Sequence, residues 1–114
     1  MKGVIIAAGY GTRFLPATKT LPKEMLPLLD RPAIDIVVEE FIKSGIDEIL
    51  IVTSRRKKAL EDYFDREMEL EKVFTEQGAA DKLAKIKPYP AKFFFVRQQE
   101  MRGTGHALLH ARPF

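Results

Sequence analysis

The 114-residue chain contains no cysteine, which excludes a disulfide framework, a thiolate metal site and a cysteine nucleophile. No apolar run is long enough to cross a bilayer, and no basic leader with a small-residue cleavage site precedes the first apolar stretch. The expectation is a cytoplasmic protein with no membrane partner. Acid is missing too: the first 23 residues carry Lys2, Arg13, Lys19 and Lys23 and no carboxylate, whereas residues 61 to 76 are mainly acidic. The net charge of +3, from 19 basic and 16 acidic residues, is too small to imply nucleic acid by itself. With 46% hydrophobic and 31% charged residues the composition is that of a globular protein, and a single domain over residues 1–114 is the natural count.

What is present begins with a short, largely β-branched run. Lys2 to Ala8 reads as a buried parallel strand that breaks on glycine. Residues 9 to 30 hold Gly9, Gly11, Pro16, Pro22 and Pro27 and no sustained period, so they are expected to form a long loop with room for one helical turn. Phe14, Leu15, Met25, Leu26 and Leu28 lead us to expect that this loop packs. Asp30 reads as the N-cap of a helix from about Pro32 to Ser44, closed by Gly45. Glu48 to Thr53 is a second buried strand, and Ser54 is placed to cap a helix reaching Tyr63 or Phe64.

From Asp65 to Ile86 dense charge and spaced apolar residues predict one or two solvated amphipathic helices broken near Gly78. Lys87 to Pro90 is a non-helical linker, and Lys92 to Arg97 is a third strand. A second glycine turn, Gln98 to Gly105, opens into a short helix from His106 to about Ala111. The fold class is therefore α/β, a βαβαβ mononucleotide-binding half of a Rossmann-like doubly wound sheet. Both glycine turns follow strands, at the end where such sheets bind ligands.

Gly9 and Gly11 let the backbone approach a ligand, and successive amides there can form an anion-binding nest to which Thr12 and Arg13 add donors. A tight turn that needs glycine for geometry alone is the competing reading. The stretch is neither the dinucleotide fingerprint, whose third glycine is replaced by Phe14, nor a P-loop. Lys23 lies in a segment pinned by Pro22 and Pro27 and is a candidate phosphate ligand; Lys19 is as compatible with a solvated surface charge. His106 and His110 stand four apart, a spacing known from zinc sites, but no third ligand accompanies them and no metal site is assigned. The run Phe93 to Phe95 suits sheet core better than a stacking platform for single strands.

Gly9-x-Gly-Thr-Arg-Phe-Leu-Pro-Ala-Thr-Lys19, Pro22-Lys-Glu-Met-Leu-Pro-Leu-Leu-Asp-Arg-Pro32, Val96-Arg-Gln98 and Gly103-x-Gly-His-Ala107 resemble bacterial UTP–glucose-1-phosphate uridylyltransferases across essentially the whole chain. The resemblance implies a fold of the sugar-nucleotidyltransferase type and the reaction of UTP with glucose-1-phosphate to give UDP-glucose and pyrophosphate. It implies that Ala8 and Gly9 meet the uracil, that Gln98 reads its edge, and that Gly103 and Gly105 pass close to base and ribose with His106 facing the ligand. Gly11, Thr12 and Arg13 would hold the triphosphate, Lys23 would neutralise charge during transfer, and Glu24 would help order the loop. The family is longer than this chain, so the resemblance also implies a truncated domain, an aspartate for Mg²⁺ beyond Phe114, and sugar-binding residues later still. The isolated chain is expected to be either poorly soluble or held in a homo-oligomer, because a half sheet leaves the edge at Val4 to Ala7 exposed. UTP binding without turnover is then the expectation for the 114 residues alone. Three alternatives stay open: a non-catalytic nucleotide-binding module, a related sugar-1-phosphate nucleotidyltransferase with another base or sugar, and an RNA-binding domain, the last suggested by the isoelectric point near 9.2.

Overall fold

A computed structural model describes residues 1–9, 11–54, 57–98, 109 and 111–114. Three parallel strands form the main sheet: β1 (Lys2–Ile6), β4 (Glu48–Thr53) and β5 (Lys92–Arg97), in the order β1-β4-β5. Lys2 is in register with Glu48, and Glu48 in turn with Lys92. β4 is central because its run Ile-Leu-Ile-Val is apolar toward both faces; Ile49, Leu50, Ile51 and Val52 are all buried. The second and third strands fall where the sequence places them. β1 ends two residues short of the expected Ala8, yet the Ala7 amide still donates to the Val52 carbonyl at 2.8 Å and prolongs the ladder.

Between β1 and the first long helix lies a small hairpin, β2 (Pro27–Leu28) paired antiparallel with β3 (Arg31–Pro32). Asp30 sits in its two-residue turn beside Leu29, which takes φ 63°. The expected helix follows as α1 (Ala33–Lys43), but its N-cap is Pro32 and no side chain caps it. Asp30 is thus not the cap: the hairpin uses it, and the helix begins on the φ that proline sets. Ser44 and Gly45 close the other end, Gly45 at φ +84°.

Helix α2 (Lys58–Phe64) has Lys57 at its N-cap and no side-chain cap. Ser54 therefore does not cap it; its carbonyl instead accepts from the Lys57 amide at 3.0 Å, starting the turn that leads into the helix. Helices α3 (Met68–Gln77) and α4 (Ala80–Lys85) follow, separated by Gly78 in the left-handed region, and neither buries a residue. That is the predicted solvated pair. The predicted helix after His106 falls almost entirely outside the described residues.

One face of the sheet carries the main core. Ile34 and Val38 of α1 and Leu60 and Phe64 of α2 pack on Ile49 and Ile51, and the Phe64 ring stacks on Phe93 with centroids 4.6 Å apart. Each such side chain contributes about 1.5–3 kcal/mol by leaving water. The opposite face holds Ala8, Leu50 and Val52 with Ile6, Val96, Ala111 and Phe114. Phe93 and Phe95 point into the main core and Phe94 lies opposite, half exposed against Phe114, so the aromatic run is mainly sheet packing.

Candidate functional site

The strand ends that carry the candidate residues are the carboxyl ends of β1, β4 and β5. Ala8 is buried against Leu50 and Val52, and Gly9 emerges exposed beyond it. The chain then folds through three short 3-10 turns, Thr12–Phe14, Ala17–Lys19 and Lys23–Met25. Prolines start the last two: the Lys19 amide donates to the Pro16 carbonyl at 3.0 Å and the Met25 amide to that of Pro22 at 2.9 Å. Gly11 takes φ +67°, and its carbonyl accepts from the Thr18 hydroxyl at 2.6 Å and the Phe14 amide at 3.2 Å. Thr18 thereby folds the first two turns onto each other.

This closure brings Gly9, Gly11 and Lys23 together. A Cβ on Gly9 would stand 3.7 Å from the Lys23 ammonium, and one on Gly11 would stand 3.1 Å from Lys23 Cβ. The Lys23 charge therefore lies over the backbone at the end of β1. Lys23, Arg13 and Lys19 are exposed and make no ion pair among the described residues. Gly9, Thr18, Lys19, Thr20, Ser54 and Lys57 line a cleft of about 250 Å³. That is smaller than the usual 300–1,000 Å³ of a pocket for a whole small molecule and suits the phosphate part of one.

Glu24 does not face outward with Lys23. Its two oxygens lie 2.8 and 3.0 Å from the ammonium of Lys57, which is only 4% exposed. Burial pushes the Lys57 pKa down, the Glu24 carboxylate opposes that, and nearby Lys23 adds to the lowering. Sequence reasoning missed Lys57, as it missed Thr18, Thr20 and Ser54. A basic run, Arg55 to Lys58, at the end of a parallel strand was the available signal, but nothing in the run marks which lysine is buried.

Gln98 is buried at the end of β5, its backbone N–H donating to the Thr53 carbonyl at 2.6 Å. It shares the strand-end surface with Ala8 and Gly9, two strand spacings away, on the order of 10 Å. Gly103, Gly105, His106 and His110 lie outside the described residues. The packing expected of the loop is partial: Met25 reaches the main core and Leu26 is half-buried, but Phe14, Leu15 and Leu28 are more than half exposed. Phe14 closes the first 3-10 turn and Leu15 follows it, whereas Leu28 lies in the two-residue strand β2. Among the described residues no three His, Asp or Glu side chains come together as a metal site, and Glu24, the carboxylate of the loop, is held by Lys57.

A larger cleft of about 660 Å³ lies apart from the strand ends, bounded by Arg31, Asp35, Asp62, Tyr63, Lys85 and Tyr89. Its buried polar groups are satisfied internally. The Arg31 guanidinium donates to Asp35 at 2.6 Å, to Glu39, and to the Tyr89 hydroxyl at 3.4 Å. Burial, followed by the Asp35 carboxylate, pushes the Tyr63 phenol up to about 12.

Compared with known proteins, residues 2–114 match the family model of nucleotidyl transferases. A UTP–glucose-1-phosphate uridylyltransferase of Staphylococcus saprophyticus is 53% identical over 99% of the chain. A UTP-bound UGPase from Acinetobacter baumannii superposes with a TM-score of 0.90 at 44% identity over 98% of the chain. A UDP-glucose pyrophosphorylase complexed with UDP-glucose gives 0.76 at 45% identity over 98%. The chain spans 40% of the length of each of these three relatives.

Proposed function

Because the chain belongs to the nucleotidyl transferase family, we propose that it forms the nucleotide-holding part of a UTP–glucose-1-phosphate uridylyltransferase. The observation that carries this reading is the closed loop after β1, where the Lys23 ammonium lies over Gly9, Lys19 lines the cleft beside Gly9, and neither lysine has an ion-pair partner among the described residues. Unpaired cations gathered at a strand end are arranged for a polyanion. The 53% identity to a uridylyltransferase supports the choice of base and sugar.

In this reading an oxygen of glucose-1-phosphate bonds to the α-phosphorus of UTP as the bond to the β-phosphate oxygen breaks, and pyrophosphate leaves. No covalent intermediate on the protein is required. Gly11, Thr12 and Arg13 hold the triphosphate, and Lys23 offsets the charge that shifts toward the leaving pyrophosphate. Ala8 and Gly9 present backbone to the uracil, and the Gln98 amide offers it a donor and an acceptor. Gly103 and Gly105 pass near base and ribose with His106, and Glu24 orders the loop. Mg²⁺, when bound, would supply further charge neutralisation. In this reading an aspartate beyond Phe114 would ligate it. A cytoplasmic homo-oligomer completes the proposal.

Calorimetric titration with UTP tests the loop assignment. Binding that falls about tenfold or more in both Arg13→Ala and Lys23→Ala is expected, from the 1.5–3 kcal/mol of a hydrogen bond to a charged group. Binding as tight in both variants as in the parent would overturn it. Pyrophosphate release that requires both UTP and glucose-1-phosphate, measured on a chain of the relatives' full length, tests the reaction.

A further inference from the structure

We propose that Lys57 is a positioning residue for phosphate recognition: it withdraws the Glu24 carboxylate from the cleft and so leaves Lys23 free to face an anionic ligand. The inference rests on the nucleotide reading above. Glu24 is the first carboxylate in the chain and directly follows Lys23. A free carboxylate there would compete with phosphate for Lys23 and would repel a triphosphate. On a 3-10 turn consecutive side chains diverge by about 120°, which lets the two charges be sorted. Lys23 is exposed over Gly9, whereas the Glu24 side chain is 13% exposed and both of its oxygens meet Lys57.

The partner comes from 33 residues away. Lys57 stands at the start of α2, so the pair ties the turn after β1 to the turn after β4, and Lys57 itself lines the cleft with Gly9, Lys19 and Ser54. Leaving either ion buried without the other costs stability, so the pair forms together. A pin serving shape only would be equally well made from two apolar side chains. A pair that buries an acid beside an exposed lysine also sets the sign of the cleft. That difference is measurable.

The test compares UTP, UMP and inorganic tripolyphosphate as ligands for the parent chain, Lys57→Met, Lys57→Arg, Glu24→Gln and the double variant Glu24→Gln/Lys57→Met. Lys57→Met leaves a carboxylate at the cleft. It should weaken UTP and tripolyphosphate about tenfold or more but UMP only about threefold, as fewer charges meet the orphan acid. The double variant should recover most of that loss, and Lys57→Arg should hold parental affinity. Glu24→Gln, which keeps a hydrogen bond to Lys57 and removes only the acid's charge, should stay within about threefold for all three ligands. Equal losses for UTP and UMP, or no recovery in the double variant, would overturn the proposal. Should Lys57→Met not fold, a loss in Glu24→Gln of about tenfold or more would do so as well. Parental binding that no variant changes sinks this proposal alone, whereas a parent that binds neither UTP nor tripolyphosphate sinks the nucleotide reading and this inference with it.

Discussion

Replacing Gly11 by alanine should disable the loop while leaving the sheet standing. Gly11 has φ +67°, and a Cβ there would meet Lys23 Cβ at 3.1 Å and Thr18 Cγ2 at 3.3 Å. The left-handed backbone alone costs an L-residue about 1–2 kcal/mol, and moving two neighbours by a few tenths of an ångström adds on the order of 1 kcal/mol more. The sum, about 2–3 kcal/mol, falls on a segment held mainly by its own bonds, chiefly Thr18 Oγ1 to the Gly11 carbonyl. Opening the loop is the least costly response, so the binding-competent arrangement is depleted and UTP affinity should drop roughly 30- to 150-fold. Gly45→Ala is the control. Its φ of +84° imposes the same backbone strain, but nothing lies within 4 Å of the added methyl and the site is remote. It should lower the melting temperature by about 5–15 °C and leave UTP binding unchanged. Calorimetric titration and thermal melts followed by circular dichroism read both quantities. Gly11→Ala binding UTP like the parent would refute the closed loop, and a Gly45→Ala variant that loses affinity would refute the separation of loop from scaffold.

Leu60→Ala should destabilise the chain by about 2–5 kcal/mol in urea unfolding, because Leu60 is fully buried between α2 and the sheet; a loss below about 1 kcal/mol would contradict that packing. The Tyr63 phenol, pushed up to about 12 from an ordinary value of 10, ties stability to alkaline pH. Its folded pKa lies above its unfolded one, so its contribution is complete below pH 10 and is lost as pH rises toward about 12. Absorbance at 295 nm should show a tyrosine ionising late in the folded chain, and Tyr63→Phe should remove that component and soften the alkaline loss. β1 pairs with β4 alone among the described residues, and Val4 is 36% exposed. Sedimentation velocity should therefore show concentration-dependent self-association of the 114 residues, reduced in Val4→Lys; a monomer at every concentration would contradict it.

The strands were legible wherever a side chain's own chemistry decided its place. Ile49 to Val52 and Phe93 to Val96 are apolar and β-branched or aromatic, and they occupy β4 and β5 as read. Gly45 and Gly78 end helices because few other residues accept a positive φ. Asp30 and Ser54 misled because capping is a local preference and a neighbouring turn claimed each residue first. Leu29 at φ 63° gives no warning at all, since a leucine ordinarily avoids that region. In the candidate site, Gly9, Gly11 and Lys23 were visible from their spacing, and the fold brings them together. Lys57 was not, because its importance lies in a partner 33 residues earlier. A single sequence shows that both residues are charged and says nothing of their meeting.

The register of β1 against β4 sets a clock on the birth of the chain. Lys2 waits for Glu48, and the loop between them waits for Lys57. At a translation rate of about 5–20 residues per second, the 46 residues from Lys2 to Glu48 take roughly 2 to 9 s to emerge. Throughout that interval the first strand has no hydrogen-bonded neighbour in the sheet, and the cationic turns beside it have no buried ammonium to sort their charges. The pairing that holds Glu24 can thus form only once Lys57 has emerged, although the turns it steadies are among the first residues to be made.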